Sequence, residues 1–281
     1  MEGIVGILAS SGSVSKTALE RATDSLAHRG PDDKGTVVIQ AGRSSRLEMG
    51  VGSRRLAVLD LSPSGRQPME DAETGNWIVY EGEIYNFREI RARLQGEGAR
   101  FDSQSDTEVL LKAYGRWGEK CLGELRGMFA FAIWDAKRSR LFLGRDPMGI
   151  KPLYYGTSGQ YFLFASERRT LLGTGLVPRR LDPAGLVNYP NFGSVYDPIT
   201  MIAGVSALQA GHYMVWKTGG SRTQPTGTSR LRDRAKPARC PRCHSLCASG
   251  HGPAHHGRSQ HIPGRQTRAA GMKVALSGGW G

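Results

Sequence analysis

The chain has 281 residues, of which 39% are hydrophobic and 22% are charged, and its formal net charge is +13. This length is sufficient for one large domain or two smaller ones with a substantial core. No apolar run approaches the roughly 20 residues of a membrane helix, and Met1 to Ser10 lack the charged start of a secretory signal, so we expect no membrane contact and a cytoplasmic location.

The positive charge is concentrated in the C-terminal part of the chain. Residues 221–281 contain eleven Lys and Arg and one Asp, so they carry +10 and the other 220 residues carry only +3. Residues 219–271 are rich in Arg, Pro, Gly, Ser, Ala, His and Cys and nearly lack Ile, Leu, Phe and Val, a composition that predicts disorder. Basic charge without interleaved aromatic residues indicates a solvated tail and argues against a nucleic-acid partner.

The N-terminal third predicts alternating strands, helices and loops. Gly3 to Ala9 form a short apolar run typical of a buried strand. Ser15 to Ala27 place apolar residues at helical spacing, and His28 to Asp33 contain Gly-Pro and predict a turn. Two strands and a polar loop are predicted next, at Leu47–Val51, Arg55–Asp60 and Ser62–Pro68.

The central segment combines an apolar strand with a helix start. Trp77 to Tyr80 predict a strand that ends at Glu81-Gly82-Glu83, where backbone amides and two carboxylates can face a ligand. Asn86 is predicted to cap a helix over Phe87 to Leu94, with Glu89 completing a capping box. A bland alternative is an ordinary strand-loop-helix corner with solvated glutamates.

The remaining elements predict an α+β layered sandwich. Ser105 is predicted to cap a helix that runs to Tyr114. Three closely spaced apolar strands follow, at Phe129–Trp134, Leu141–Leu143 and Tyr161–Phe164, with a hairpin loop at Asp135–Arg138. Short helices between runs of antiparallel strands are typical of this fold class.

The four cysteines fall into two groups. Cys121 lies in a predicted helical region and is expected to be a buried, inert thiol. Cys240, Cys243, His244 and Cys247 have the spacing of a zinc knuckle, yet no hydrophobic residues accompany them. Translation of a GC-rich gene in the wrong frame also yields this composition, and we favour it over adventitious metal binding or a genuine zinc site. We therefore assign no metal site.

Taken together, the motifs of residues 1–215 resemble the glutaminase half of glutamine-hydrolysing asparagine synthetases. Eight motifs occur in the same order: the strand from Gly3, His28–Asp33, Arg55–Asp60, Gln67–Met69, Gly82–Asn86, Ser105–Glu108, Arg126–Ala130 and Gly149–Tyr155. The resemblance implies a class II amidotransferase domain over residues 1–218, with the four-layer αββα sandwich of the N-terminal-nucleophile hydrolases. It implies glutamine as substrate and no cofactor for this domain.

The resemblance also assigns roles to individual residues. Arg55 matches the residue that holds the α-carboxylate of glutamine by a charge-assisted fork. Glu83 and Asp106 match acids that hold its α-ammonium, and Gly82 matches a backbone donor. In this family an N-terminal cysteine attacks the side-chain amide, its own α-amine acts as the base, and an asparagine donates to the oxyanion.

Both chemical positions depart from the family pattern. Glu2 stands at the nucleophile position instead of cysteine, and Glu81 stands at the oxyanion position instead of asparagine. A carboxylate is a weak nucleophile toward an amide, and an ionised acceptor cannot donate to an oxyanion. We predict that hydrolysis is lost or nearly lost, leaving a pocket crowded with four carboxylates, of which at least one has a raised pKa. Whether the two glutamates are natural or introduced stays open.

Residues 272–281 resemble the start of a second domain. Leu276, Ser277, Gly278 and Gly279 match the beginning of the pyrophosphate loop in the synthetase domain, which in the full-length family uses ATP and Mg²⁺ to amidate aspartate. The chain ends there, so we expect an incomplete ATP site and no asparagine synthesis by the chain alone. The acceptor stays open, since β-lactam-forming relatives share this N-terminal half, as does the alternative of a non-catalytic amino-acid-binding module. The oligomeric state is not predicted.

Overall fold

Two antiparallel sheets form the centre of the fold. A computed structural model describes residues 2–40, 47–56, 65–217 and 220–226, all within one compact unit, Met1–Ala235. The strands are β1 Gly3–Ala9, β2 Asp33–Gln40, β3 Glu48–Arg55, β4 Met69–Asp71, β5 Asn76–Ile84, β6 Gly127–Asp135, β7 Arg140–Arg145, β8 Tyr154–Ser158, β9 Tyr161–Ala165, β10 Val205–Ala207, β11 His212–Lys217 and β12 Gly220–Pro225. The helices are α1 Lys16–Asp24, α2 Phe87–Gly96, α3 Asp106–Trp117, α4 Arg168–Gly173 and α5 Pro183–Phe192, with a 3-10 turn at Gly118–Gly123.

The strand order brings the two ends of the described chain into separate sheets. The first sheet has the order β10-β8-β9-β1-β3-β2, and the second has β12-β11-β7-β6-β5-β4. The first strand therefore lies inside its sheet, paired with β9 on one side and β3 on the other. Residues 220–225 form an edge strand of the second sheet. The sheet therefore includes residues beyond position 218, the predicted end of the domain.

Three apolar clusters show how the layers stack. One lies between the sheets and contains Ile4 of β1 and Val79 of β5. A second packs α1 against the outer face of the first sheet, and a third packs α2 and α3 against the outer face of the second sheet. The predicted four-layer αββα sandwich is therefore confirmed. Alternate residues of β1 and β5 face different layers, because strand side chains alternate between the two faces.

Strand β5 runs from Asn76 to Ile84. The prediction that Glu81-Gly82-Glu83 lie at the end of this strand is confirmed, and all three residues remain paired with β6, opposite Ala130, Phe129 and Met128. Gly82 has φ +148°, and a Cβ built there would lie 2.1 Å from the carbonyl oxygen of Met128. Only glycine permits this close approach, so the pairing continues to Ile84.

The substitution Gly82→Ala should therefore destabilise the protein by about 2–3 kcal/mol, since it combines backbone strain with overpacking. Chemical denaturation gives this difference directly. Gly96→Ala is the matched control, because Gly96 lies in a helix and a Cβ there would meet nothing within 4 Å. That control should be neutral or stabilising by up to about 1 kcal/mol. Equal effects of the two substitutions would contradict the packing argument.

The helix caps were predicted with mixed success. Ser105 caps α3 as expected, because its hydroxyl oxygen accepts a hydrogen bond from the Glu108 amide at 3.3 Å. The capping box at Asn86 was wrong, since that side chain makes no cap bond to α2. Its amide nitrogen donates to the Glu124 carbonyl at 2.9 Å, and its oxygen accepts from the Arg126 amide at 2.9 Å. Asn86 thus ties two distant segments together.

Two further predictions need correction in the N-terminal half. Leu47–Val51 was predicted as a strand separate from Arg55–Asp60, but β3 is continuous from Glu48 to Arg55 and pairs with β1 from Glu48 to Arg54. Strand β2 was not predicted at all. Residues 57–60, part of the loop 62–68, the 219–271 segment beyond 226, the Cys240–Cys247 cluster and the Leu276–Gly279 loop lie outside the described residues.

Candidate functional site

The predicted site residues meet where β1 begins and β3 ends. Gly3 pairs with Arg54, so Glu2 comes level with Arg55 across the two strands. A Cβ at Gly3 would contact Leu26 and Arg29, on the helical side of the sheet. The side chain of Glu2 therefore points the other way, toward the second sheet and β5. This geometry brings Glu2 to the Glu81-Gly82-Glu83 segment.

Glu81 is fully buried and both of its carboxylate oxygens are bonded. Its Oε1 lies 2.5 Å from Nη2 of Arg29, which is itself 9% exposed. Its Oε2 accepts a hydrogen bond from the hydroxyl of Ser166. Burial raises the pKa of Glu81, although Arg29, Ser166 and the charge of Lys151 each lower it. Position 81 thus carries a buried ion pair in place of a free amide donor.

Arg29 and Ser166 connect this carboxylate to the start of the chain. Nε of Arg29 donates to the carbonyl oxygen of Glu2 at 2.7 Å, and the Ile4 amide donates to Oγ of Ser166 at 2.9 Å. Nη1 of Arg29 also lies 3.4 Å from Oε1 of Glu167. The backbone of the N-terminal residues is therefore fixed by the same two side chains that bind Glu81.

Glu2 reaches Gly82 with its side chain. The amide of Gly82 donates to Oε2 of Glu2 at 3.3 Å, and Glu2 is half-buried. Burial raises the pKa of Glu2 to about 8, and the nearby charges of Asp106 and Glu81 add to this, whereas the Gly82 hydrogen bond and Arg55 lower it. The Glu2 carboxyl group is therefore largely protonated at neutral pH.

A raised pKa links Glu2 to pH-dependent stability. The folded state binds the proton more tightly than the unfolded state, so stability is greatest at acidic pH and falls as pH rises from about 4.5 to about 8. The Glu2→Gln variant cannot titrate there. We expect the unfolding free energy of the unsubstituted chain, relative to that variant, to fall by about 2–3 kcal/mol between pH 5 and pH 8. Denaturation midpoints at both pH values test this, and parallel pH profiles would contradict it.

Asp106 lies at the first residue of α3 and is nearly buried. Its Oδ2 accepts hydrogen bonds from the Tyr80 hydroxyl at 2.6 Å and from the Ile84 amide at 3.1 Å. Burial raises the pKa of Asp106, and those two donors lower it. The same burial and the Asp106 charge raise the pKa of Tyr80 well above its usual value. The predicted raised pKa is found at Glu2, Glu81 and Asp106; its largest cause at each is burial, and neighbouring carboxylates add to it at Glu2.

Arg55 and Glu83 complete the set. Arg55 is 8% exposed and its charge acts on Glu2. Its carbonyl oxygen accepts from the Asp32 amide at 3.2 Å, which holds the His28–Asp33 turn against the end of β3. Glu83 is half-buried and follows Gly82 on β5. The Arg55 guanidinium and the carboxyl groups of Glu81 and Asp106 thus lie near the Glu2 side chain.

Sequence reasoning missed three residues of this site: Arg29, Lys151 and Ser166. Arg29 stood in the His28–Asp33 motif but was read only as part of a turn, and Lys151 was read as part of a loop. The available signal was charge, because a glutamate at the end of an apolar strand needs a buried cation. No sequence pattern identifies Ser166, which reaches Glu81 across 85 residues.

Three further findings concern the described residues. Among them, no group of three or more His, Cys, Asp or Glu side chains could hold a metal ion. Cys121 is fully buried and burial raises the pKa of its thiol to about 12, which confirms the predicted inert thiol. Within this part of the chain, no helix is long and apolar enough to cross a membrane.

Sequence comparisons place the chain among known proteins. Residues 1–226 match a family model described as a glutamine amidotransferase domain. The chain is 39% identical over 208 residues to asparagine synthetase [glutamine-hydrolyzing] 3 of Bacillus subtilis, covering 73% of this chain and 33% of the relative. It is 36% identical to asparagine synthetase [glutamine-hydrolyzing] 1 of the same organism, covering 74% and 32%. The chain spans about a third of the length of these relatives.

A solved structure shares the fold. Glutamine phosphoribosylpyrophosphate amidotransferase from B. subtilis, complexed with ADP and GMP, superposes with a TM-score of 0.59 at 17% identity. The match covers 80% of this chain and 49% of that one. At this identity the similarity shows the fold alone, and it agrees with the two sheets and outer helices described above.

Proposed function

We propose that this chain, which belongs to the glutamine amidotransferase domain family, keeps the amino-acid pocket of the asparagine-synthetase type but has lost or nearly lost glutamine hydrolysis. The relatives are named for glutamine-hydrolysing asparagine synthesis. The resemblance assigns amidation of aspartate with ATP and Mg²⁺ to a full-length protein of that type. The residues that match its ATP loop lie outside the described residues, so no step is assigned to them.

The observation that carries this proposal is the state of Glu81. An oxyanion forms during attack on an amide and requires a preorganised hydrogen-bond donor. Both oxygens of the Glu81 carboxyl group accept hydrogen bonds, one from Arg29 and one from Ser166, and these two residues hold the group in place. Negative charge in the transition state would therefore meet acceptor oxygens at position 81, not a preorganised donor.

The nucleophile position gives an independent argument. A carboxylate attacks an amide poorly, and its acyl product would be a labile anhydride. Burial makes the group weaker still, because the raised pKa of Glu2 leaves the carboxyl protonated at neutral pH. Glutamate is also too bulky for efficient removal of Met1, which would leave the free amine one residue away from the family's position.

Binding needs different groups from catalysis, and those are retained. Arg55 supplies a nearly buried guanidinium for an α-carboxylate, and Asp106 and Glu83 supply carboxyl groups for an α-ammonium. Asp106 is fixed by the Tyr80 hydroxyl, so its position is preorganised. This contrast supports a chain that acts as a non-catalytic amino-acid-binding module, which would bind an amino acid without releasing ammonia.

Glutamate release from glutamine, measured beside the Glu2→Cys/Glu81→Asn variant, tests the proposal. We expect the chain to stay at the uncatalysed background and the restored variant to turn over. If the unsubstituted chain hydrolyses glutamine at a comparable rate, the proposal fails and another residue carries the acyl intermediate. If neither protein is active and neither binds an amino acid, the retained-pocket half fails as well.

A further inference from the structure

We propose that the Glu2 side chain fills the distal end of the pocket, so that the site accepts an α-amino acid with a short, uncharged side chain, such as alanine or serine, in preference to glutamine. This inference rests on the proposed function and names the ligand class of the same site. It depends on where the Glu2 carboxyl lies and on what remains exposed to a ligand around it.

The backbone of Glu2 has little freedom to move aside. Its carbonyl oxygen accepts from Nε of Arg29 at 2.7 Å, and the next residue begins the β1 pairing with β3. The alternation of strand side chains directs Glu2 toward β5, where its Oε2 accepts from the Gly82 amide. Glu2 is thus held at two points, its backbone carbonyl oxygen and its side-chain carboxyl group.

The size of the side chain determines what it displaces. A glutamate side chain exceeds that of cysteine by about one carboxyl group, which has nearly the volume of a carboxamide. In the family that the chain resembles, position 2 carries a short nucleophile that attacks the terminal amide of glutamine. The extra carboxyl group of Glu2 therefore occupies the space that this amide would need. The Gly82 amide, which the resemblance assigns as a backbone donor to the ligand, is already bonded to Oε2 of Glu2.

The charges around the filled end reject acidic ligands. A ligand carboxylate at the distal end would find the Gly82 amide already bonded to Glu2 and would lie near the carboxyl groups of Glu81 and Asp106, whose charges act on Glu2. The α-carboxylate instead pairs with Arg55, whose positive charge also acts on Glu2. A small zwitterion satisfies both requirements, because it presents its ammonium and carboxylate and little else.

Titration calorimetry of alanine, serine and glutamine against the chain and its Glu2→Ala variant tests this inference. We expect the chain to bind alanine at least about tenfold more tightly than glutamine. Glu2→Ala opens the distal end, so it should reverse that order. Arg55→Ala should abolish binding of all three amino acids. Glu70→Ala, which removes an exposed glutamate of β4, should leave the ratio unchanged and controls for loss of charge.

The outcomes separate this inference from the proposed function. An unchanged alanine-to-glutamine ratio in Glu2→Ala overturns the inference, and so does a chain that binds none of the three while Glu2→Ala binds glutamine. In both cases the pocket still binds an amino acid in at least one form. If no form of the protein binds any amino acid, the proposed function fails, and the inference fails with it.

Discussion

The Glu2→Cys/Glu81→Asn variant should release glutamate from glutamine on the order of 10²–10³ times faster than the Glu2→Cys variant. Both variants carry a thiol at position 2, and both have a small residue there that permits removal of Met1. They differ only in the side chain at position 81. The difference in kcat/KM therefore measures what a single donor contributes to the developing oxyanion.

The contacts of Glu81 indicate how the restored asparagine would be oriented. Arg29 has only donors, so it binds the carboxamide oxygen of an asparagine and not its nitrogen. The NH₂ group then points away from Arg29 and can donate. Ser166 can bond to either the oxygen or the NH₂ group of the carboxamide, since a hydroxyl donates and accepts. Arg29, which pairs with Glu81 in this chain, would thus hold the oxygen of the carboxamide that Glu81→Asn introduces and leave its NH₂ group free to donate to the oxyanion.

Two controls separate the nucleophile from the oxyanion donor. Glu2→Ala/Glu81→Asn has the donor without a nucleophile, and Glu81→Asn alone keeps the carboxyl at position 2, so both should remain at background. Equal kcat/KM values for the single Glu2→Cys variant and the double variant would show that position 81 does not stabilise the oxyanion here.

The parts of the fold predicted from the sequence are those with local signals. Strand β1 is a continuous apolar run, and the cap of α3 is a serine that bonds three residues ahead. The turn after Asp135 also follows local rules, because the Asp135 carboxylate accepts from the Arg138 amide at 3.0 Å. In each case the residues that determine the structure are neighbours in the chain.

The errors occur where a distant partner determines the structure. Asn86 has the right neighbours for a capping box, yet it bonds to Glu124 and Arg126, about 40 residues away. Strand β2, which was not predicted, is placed by its pairing with β3 from Asp33 to Gln40. The site follows the same division: Glu2 and Glu81 were found by their place in motifs, but Arg29 binds Glu81 across 52 residues and carries no local signal for that contact.

Removing Arg29 should destabilise the protein more than any other substitution in this site. Arg29→Met leaves Glu81, which is 0% exposed, without its countercharge, and breaking a buried pair from one side costs about 3–5 kcal/mol. Glu81→Gln should cost less, since it leaves no buried anion and Arg29 retains Glu167 and the Glu2 carbonyl as partners. Denaturant unfolding of both variants at pH 7 measures the difference.

The Arg29→Met/Glu81→Gln variant and the pH dependence show whether the loss of stability in Arg29→Met comes from the unpaired buried charge of Glu81. Arg29→Met/Glu81→Gln removes the charge as well as its partner, so it should recover part of the stability that Arg29→Met loses. In Arg29→Met the pKa of Glu81, already raised by burial, rises further, because Arg29 no longer lowers it. The folded state then binds a proton that the unfolded state releases, so this variant should be less destabilised at pH 5 than at pH 8. A loss that is the same at both pH values, with no recovery in the double variant, would mean that Arg29 acts by packing alone.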